Sequence, residues 1–317
     1  MSVCKKSVNS LLEPPTPKQL KHILLDNNEI SEEKLKHNES IINEWVSCQA
    51  HFPENIDKRF IRNILRGCKH SVEKTKQRLE QHLIARHMYP EVYSNRSPFS
   101  KDIVQAMDVI NIAVMPKLTE SGHRLFALSL NRFDPSEFSF VSGVKLFFML
   151  YELMMASDII YSGDIAIFDA ANCTTSHLTK VFGTFLRTTT MLLKEAYAIR
   201  LKGVYVVNAP SVIAKMMAAI KPIVHAKVRN SIYIHEDSRH VLDRFGPEYL
   251  PSTFGGTLKP LREITSDCYD VLNDNADWFE GQNSVKITRP PKKVQKRLLL
   301  EDLDLGLEGS FRKLEID

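Results

Sequence analysis

The sequence lacks most of the features that would assign it at a glance. Only 12 of its 317 residues are glycine and 15 are proline, too few for a long flexible scaffold. With 43% hydrophobic and 25% charged residues it has the balance of a protein that buries a sizeable core, which excludes disordered, collagen-like and low-complexity classes. No apolar run is long enough to cross a bilayer. The most apolar one, residues 144–155 (VKLFFMLYELMM), contains Lys145 and Glu152 and reads as a buried helix. The opening MSVCKKSVNSLLEPPTPK has no apolar core of the kind a secretory signal needs and is interrupted by Pro14, Pro15 and Pro17, so secretion by the usual route is not expected. The five cysteines, Cys4, Cys48, Cys68, Cys173 and Cys268, form no CxxC pair and are odd in number. A reducing cytosol suits them, as ordinary thiols.

Charge of one sign is also lacking. Forty-two Lys and Arg against 38 Asp and Glu leave +4, an excess that matters only where it is clustered. One cluster exists: residues 286–297 (KITRPPKKVQKR) hold six basic side chains and no acid. No aromatic residues are interleaved there for base stacking, so a solvated linker is the expectation and a nucleic-acid partner is not.

Recognisable catalytic chemistry is missing as well. There is no G-x-S-x-G, no GxGxxG and no phosphate-cradling glycine loop. In HEDSRH, His235 and His240 stand five apart and miss the four-residue spacing that puts two metal ligands on one helical face. Asp169 ends a predicted strand, where it can serve as a base or cap the following turn. Neither an enzyme, a metal nor a cofactor is expected.

What is present is a change of pattern along the chain. From Pro17 to about Tyr93 apolar residues recur every three or four positions, as in Leu20, Ile23, Leu24 and Ile41, Ile42, Trp45, so this third is predicted helical, with Ser71 capping one helix through its side chain. The polar stretch SNRSPFS (94–100) marks a boundary. Beyond it RLFALSL (124–130), DIAIFDA (164–170), GVYVVNA (203–209) and SIYIH (231–235) read as strands, separated by predicted helices near 137–158, 174–198 and 210–230. That alternation implies an α/β fold with a mostly parallel sheet. The predicted organisation is a helical region over 1–95, an α/β domain over 96–265, and an extension over 266–317. The extension's final segment, EDLDLGLEGSFRKLEID, is expected to dock its leucines on the body.

The segment NAPSVIAKMMAAIKPIVHAKVRNSIYIH places Val212, Ile213, Met216, Met217, Ile220, Ile223 and Val224 on one helical face after Pro210, with a kink predicted at Pro222. On its residues alone the helix is either core packed on the sheet or a movable lid. Four strings decide between these by resemblance. FIRNILRGCKHSVEKTKQRL, GDIAIFDAANCTTSH, KGVYVVNAPSVIAKMMAAIKP and FGPEYLPSTFGG are similar, in order and spacing over roughly residues 20 to 260, to the CRAL-TRIO (Sec14-like) lipid-transfer family, in its tocopherol-transfer and retinaldehyde-binding branch. The tail GSFRKLEID resembles that of insect members.

The resemblance implies a non-enzymatic cytoplasmic carrier of a hydrophobic small molecule, a retinoid, tocopherol or related lipid, with transient membrane association. The chamber positions it assigns are Val144, Phe147, Tyr151, Ile165, Phe168, Leu192, Tyr197, Leu201 and Val204, with Ile213, Met216, Met217, Ile220 and Val224 on the lid. Tyr151 is the expected polar anchor, because a buried phenol needs a partner and a ligand can supply one. The family's phosphoinositide cluster maps to Arg200, Lys202 and Lys227. Its fourth basic position is Ser231 here, with Arg229 two residues earlier. The alternative from a different class is a lipid-responsive interaction protein that binds a ligand without transferring it.

Overall fold

The computed structural model describes residues 8–29, 31–181, 184–220 and 229–288. Helices come first. α1 (Pro17–Asn27) opens on a capping box: Thr16 Oγ1 accepts from the Gln19 amide, Gln19 Oε1 accepts from the Thr16 amide, and Pro17 fills the position where an amide hydrogen is not needed. α2 (Glu32–Ser47), α3 (Lys58–Gly67), α4 (Val72–Met88), the short α5 (Pro90–Tyr93) and α6 (Lys101–Val109) complete the helical region. The Ser71 side chain does not cap α4. Its carbonyl instead accepts from the Thr75 amide and hydroxyl.

The α/β part follows without a turn, because α6 runs straight into β1 (Ile110–Leu118). After it come β2 (His123–Leu130), α7 (Phe140–Met155), β3 (Gly163–Asp169), α8 (Thr175–Val181), α9 (Thr184–Glu195), β4 (Leu201–Val207), α10 (Ser211–Ile220), β5 (Ile232–Ile234), α11 (Arg239–Phe245), α12 (Leu261–Asp274) and α13 (Ala276–Gln282). The sheet order is β1-β2-β3-β4-β5, parallel from β2 to β5, with β1 antiparallel at one edge. Helices in the β2–β3 and β3–β4 connections supply the crossovers that parallel pairing needs. β1 is a strand the composition did not announce. It contains Pro116, which lies where the register slips between Val114 and Leu118 on an edge strand, the place where a missing amide is tolerated. The Tyr269 hydroxyl from α12 covers that edge, accepting from the Ile112 amide and donating to the Ile110 carbonyl.

The ladders sort the side chains into two faces. Phe126 pairs with Ala166 and Ala166 with Val204, while Leu128 pairs with Phe168 and Phe168 with Val206; these share the face on which α7 lies. Leu125, Ile165 and Gly203 form a row on the opposite face, where Tyr205 packs edge-on to Phe245 of α11. The helix predicted over 174–198 is two helices, α8 and α9. Of the helix predicted over 210–230 the described part ends at Ile220; the Pro222 kink, the basic run beyond Thr288 and the docking tail lie outside the described residues.

Candidate functional site

The centre of the molecule is α7, whose Ser139 N-cap accepts from the Ser142 amide. Positions 144, 147 and 151 fall on one side of this helix and 148 and 152 on the next. The first side meets the sheet. Phe147 and Tyr151 stack at 5.8 Å between centroids and both meet Phe126 of β2, at 5.8 and 5.9 Å. Val144 is buried. Phe168 and Val204 share this sheet face and are half-buried, and Leu201 is paired with Asp164 at the beginning of β4. Ile165 does not belong to the group: one residue from Asp164 in a strand of period two, it stands on the opposite face.

The second side of α7 holds a buried ionic cluster. Glu152 Oε2 accepts from Arg86 Nη1 at 2.9 Å and Arg96 Nη1 at 2.6 Å, and Oε1 accepts from the Tyr197 hydroxyl at 2.7 Å. Burial alone would raise the Glu152 carboxyl, but the two guanidinium groups outweigh it and hold it well below the usual carboxylate range. His82, packed against Tyr197 at 5.0 Å, is pushed down to about 3, chiefly by burial. Tyr197 therefore gives its hydroxyl to the cluster and only its ring, 5.7 Å from Tyr151, to the sheet side. Lys145 is also buried and is paired with Asp102 at 3.0 Å.

Tyr151, expected to await a ligand, has partners inside the protein. Its hydroxyl lies 3.2 Å from that of Tyr161 and 3.5 Å from Asp164 Oδ1. Asp164 is pushed up to about 7 by burial, against hydrogen bonds from Tyr161, the Arg200 backbone and Tyr151 that favour its charged form. Opposite it on β2, Arg124 is fully buried and donates to the Met115 and Pro116 carbonyls at 2.8 and 2.9 Å. The cavity beside Tyr151, Tyr161 and Asp164 has a volume of about 40 Å³. That is room for a water, far below the roughly 300–1,000 Å³ of small-molecule sites.

On α10, Ile213 is buried and Met216 and Met217 are half-buried, and the helix packs on α8. Leu192 is buried on α9. The Ile220 side chain and the whole of Val224 and Lys227 lie outside the described residues. At the C-terminal end of β3, Asp169 Oδ1 accepts from the Ala171 amide at 3.0 Å and from Asn208 Nδ2 at 3.1 Å, which makes it a turn cap. His235 and His240 stack ring on ring at 4.2 Å.

Against known proteins, a family model described as the CRAL/TRIO domain matches residues 110–256, the span from β1 to the glycine pair that follows α11. Over those residues the chain carries a CRAL-TRIO domain. A second model, the Pinta-like UBA domain, matches residues 31–103 in the helical region. Human alpha-tocopherol transfer protein-like is 24% identical over 265 residues, covering 82% of this chain and 76% of that protein. Human clavesin-2 is 25% identical over 244 residues, covering 76% of this chain and 74% of that protein. The crystal structure of Sfh5 aligns over 91% of this chain and 100% of that one, at 12% identity and a TM-score of 0.44.

Of the expected basic residues, Arg200 and Lys202 have an acidic partner within the protein. Arg200 is ion-paired to Asp26 of α1 and donates to Asn27 Oδ1, and Lys202 Nζ lies 3.2 Å from Asp26 Oδ2. Arg229 is half-buried. Sequence reasoning missed Asp26, Arg86, Arg96, Arg124, Phe126, Tyr161 and Asp164. Phe126 was legible, since it alternates within RLFALSL. Asp26, Arg86 and Arg96 act through partners far away in sequence, and Arg124, Tyr161 and Asp164 through partners 8 to 13 residues off on other elements. No helix among the described residues is long and apolar enough to cross a membrane.

Proposed function

We propose that this CRAL-TRIO protein carries one hydrophobic small molecule, a retinoid, tocopherol or related lipid, between the α7 face of the sheet and α10, and exchanges it at phosphoinositide-containing membranes. The observation that carries the reading is the aromatic surface of Phe126, Phe147 and Tyr151, continued by Phe168 and Val204 on the same sheet face. The two half-buried methionines of α10 suit a cover, because flexible thioethers repack around guests of different shape. Burial of apolar ligand surface at roughly 25 cal/mol per Å² supplies the driving force without any covalent step.

The small cavity beside Tyr151 sets a requirement. A lipid does not fit that cavity as it stands, so the side chains lining it must part if a guest is to reach the Tyr151 hydroxyl. Because Tyr151 already has Tyr161 and Asp164, a ligand hydroxyl or carbonyl joins that polar group in place of water. Transfer of a fluorescent tocopherol or retinoid analogue from donor to acceptor vesicles tests the reading. The wild-type chain is expected to transfer it and Met216→Asp to lose it, since the aspartate sets a charge against the ligand. Retention of ligand without transfer supports the sensor reading instead, and failure to bind any analogue contradicts both.

A further inference from the structure

The row of β3 that carries Ala166 and Phe168 begins with a carboxyl group. Asp164 stands two residues before Ala166, so the period of two puts it on the α7 face. There the Tyr151 hydroxyl lies 3.5 Å from Asp164 Oδ1 and 3.2 Å from the Tyr161 hydroxyl, with Asp164 5% exposed and Tyr151 2%. We propose that Tyr151, Tyr161 and Asp164 receive the polar end of the guest and select an apolar alcohol over the corresponding aldehyde or carboxylic acid, an assignment that rests on the carrier reading above and names the chemical class of its ligand.

The side-chain donors around the cavity of about 40 Å³ beside these groups are already engaged. Asn63 Nδ2 donates to the Met155 and Ser157 carbonyls at 2.9 and 3.0 Å, and Asn27 Nδ2 to the Tyr161 carbonyl at 3.1 Å. Arg66 holds Glu29 through Nε and Nη2, at 2.9 and 3.1 Å, and Arg200 holds Asp26 and Asn27. Ser162 Oγ is 3.1 Å from the Ser121 and Gly122 carbonyls. Arg124, level with Asp164 on β2, is turned to β1 by its bonds to the Met115 and Pro116 carbonyls, and it does not border the cavity.

With Asp164 ionised, both phenol hydrogens turn to it, because a charged acceptor outcompetes a neutral one. What the cavity then offers is oxygen lone pairs: those of the two phenols, and the carboxylate positions that Tyr151, Tyr161 and the Arg200 backbone leave free. An alcohol supplies the missing hydrogen. An aldehyde brings only another lone pair, and a carboxylate sets a second negative charge beside Asp164 where water screens it little. The size of the cavity agrees, since room for a water is also room for one hydroxyl and not for a bulky headgroup. Burial pushes the Asp164 carboxyl up to about 7, so it is mostly ionised at pH 8.

The test is competition for the full chain at pH 8 within two series, retinol, retinal and retinoic acid on one apolar body and hexadecanol and hexadecanoic acid on another. Native mass spectrometry of equimolar mixtures reads the bound fractions. Wild type is expected to hold each alcohol about tenfold more tightly than its acid, with retinal between. Asp164→Asn, which keeps the shape, removes the charge and adds a donor, is expected to bring alcohol and acid within about twofold, chiefly by tightening the acid. Asp164→Ser must repeat that loss of preference, and Asp267→Asn, which removes an exposed acid paired with Lys259 at 3.0 Å, must keep the wild-type ratio. If wild type binds alcohol and acid equally, or the ratio is the same in both Asp164 variants, the alcohol subsite is overturned and the carrier reading stands. If wild type binds no member of either series, both fall.

Discussion

The Tyr197 hydroxyl donates a 2.7 Å hydrogen bond to Glu152, tying the residues just before β4 to the last turn of α7. Glu152 is also the acid with which both Arg86 and Arg96 are ion-paired. Glu152→Gln leaves two buried guanidinium groups uncompensated and is expected to cost about 3–5 kcal/mol of stability. Tyr197→Phe removes one charge-assisted hydrogen bond, about 1.5–3 kcal/mol. Because burial is outweighed by the arginines and the folded carboxyl sits below its ordinary 4.5, its contribution is complete above that value and is lost as pH falls below it. Urea unfolding midpoints from pH 7 to pH 3 check both statements: the acid loss is smaller in Glu152→Gln.

Asp164 has the opposite sign. Burial raises its carboxyl from 3.8 to about 7, so between those values the folded protein holds a proton that the unfolded chain has released. Stability falls as pH rises through this window, by at most about 1.4 kcal/mol per unit, and is flat above it. Asp164→Asn removes that slope. The difference between the two proteins' unfolding free energies, measured at pH 5 and pH 8, is expected to move in favour of the asparagine variant at the higher pH.

The two faces of the sheet predict different consequences for residues three positions apart. Phe168→Ala, on the α7 face, is expected to change which tocopherol or retinoid analogue is retained. Ile165→Ala, on the other face, is expected to lower stability by about 2–5 kcal/mol and to leave the order of ligand preference unchanged. Competition binding with a fluorescent analogue, alongside urea unfolding, separates the two effects.

The glycine pair that closes the domain answers to backbone space. Gly255 has φ of 83°, and a Cβ on Gly256 would fall 2.0 Å from the Leu250 carbonyl oxygen. Gly256→Ala therefore cannot be accommodated without moving the 250–258 turn, and its loss of thermal stability is expected to exceed that of Gly255→Ala. Comparing the two melting temperatures decides it.

The parallel strands were legible because RLFALSL, DIAIFDA and GVYVVNA are branched, bounded runs, and the helical third because its apolar spacing has no period of two. β1 was not, since Pro116 argues against a strand and α6 enters it without a turn. The site was partly legible. Strand parity alone separates Ile165 from Phe168, a signal available in the sequence that positional resemblance overrode. Glu152 inside an apolar run announces a buried partner, but Arg86 and Arg96 lie 66 and 56 residues away, and only folding brings them together. The same holds for Asp26 and Arg200, 174 residues apart.

Native mass spectrometry of the full chain, purified without detergent from cells supplied with lipid, puts the carrier claim to its most direct test. The wild-type protein is expected to retain one hydrophobic molecule per chain, extractable into organic solvent, with occupancy lost in Met216→Asp. A wild-type chain that emerges at its bare mass, and stays so after incubation with tocopherol, retinoid and phospholipid vesicles, contradicts the account.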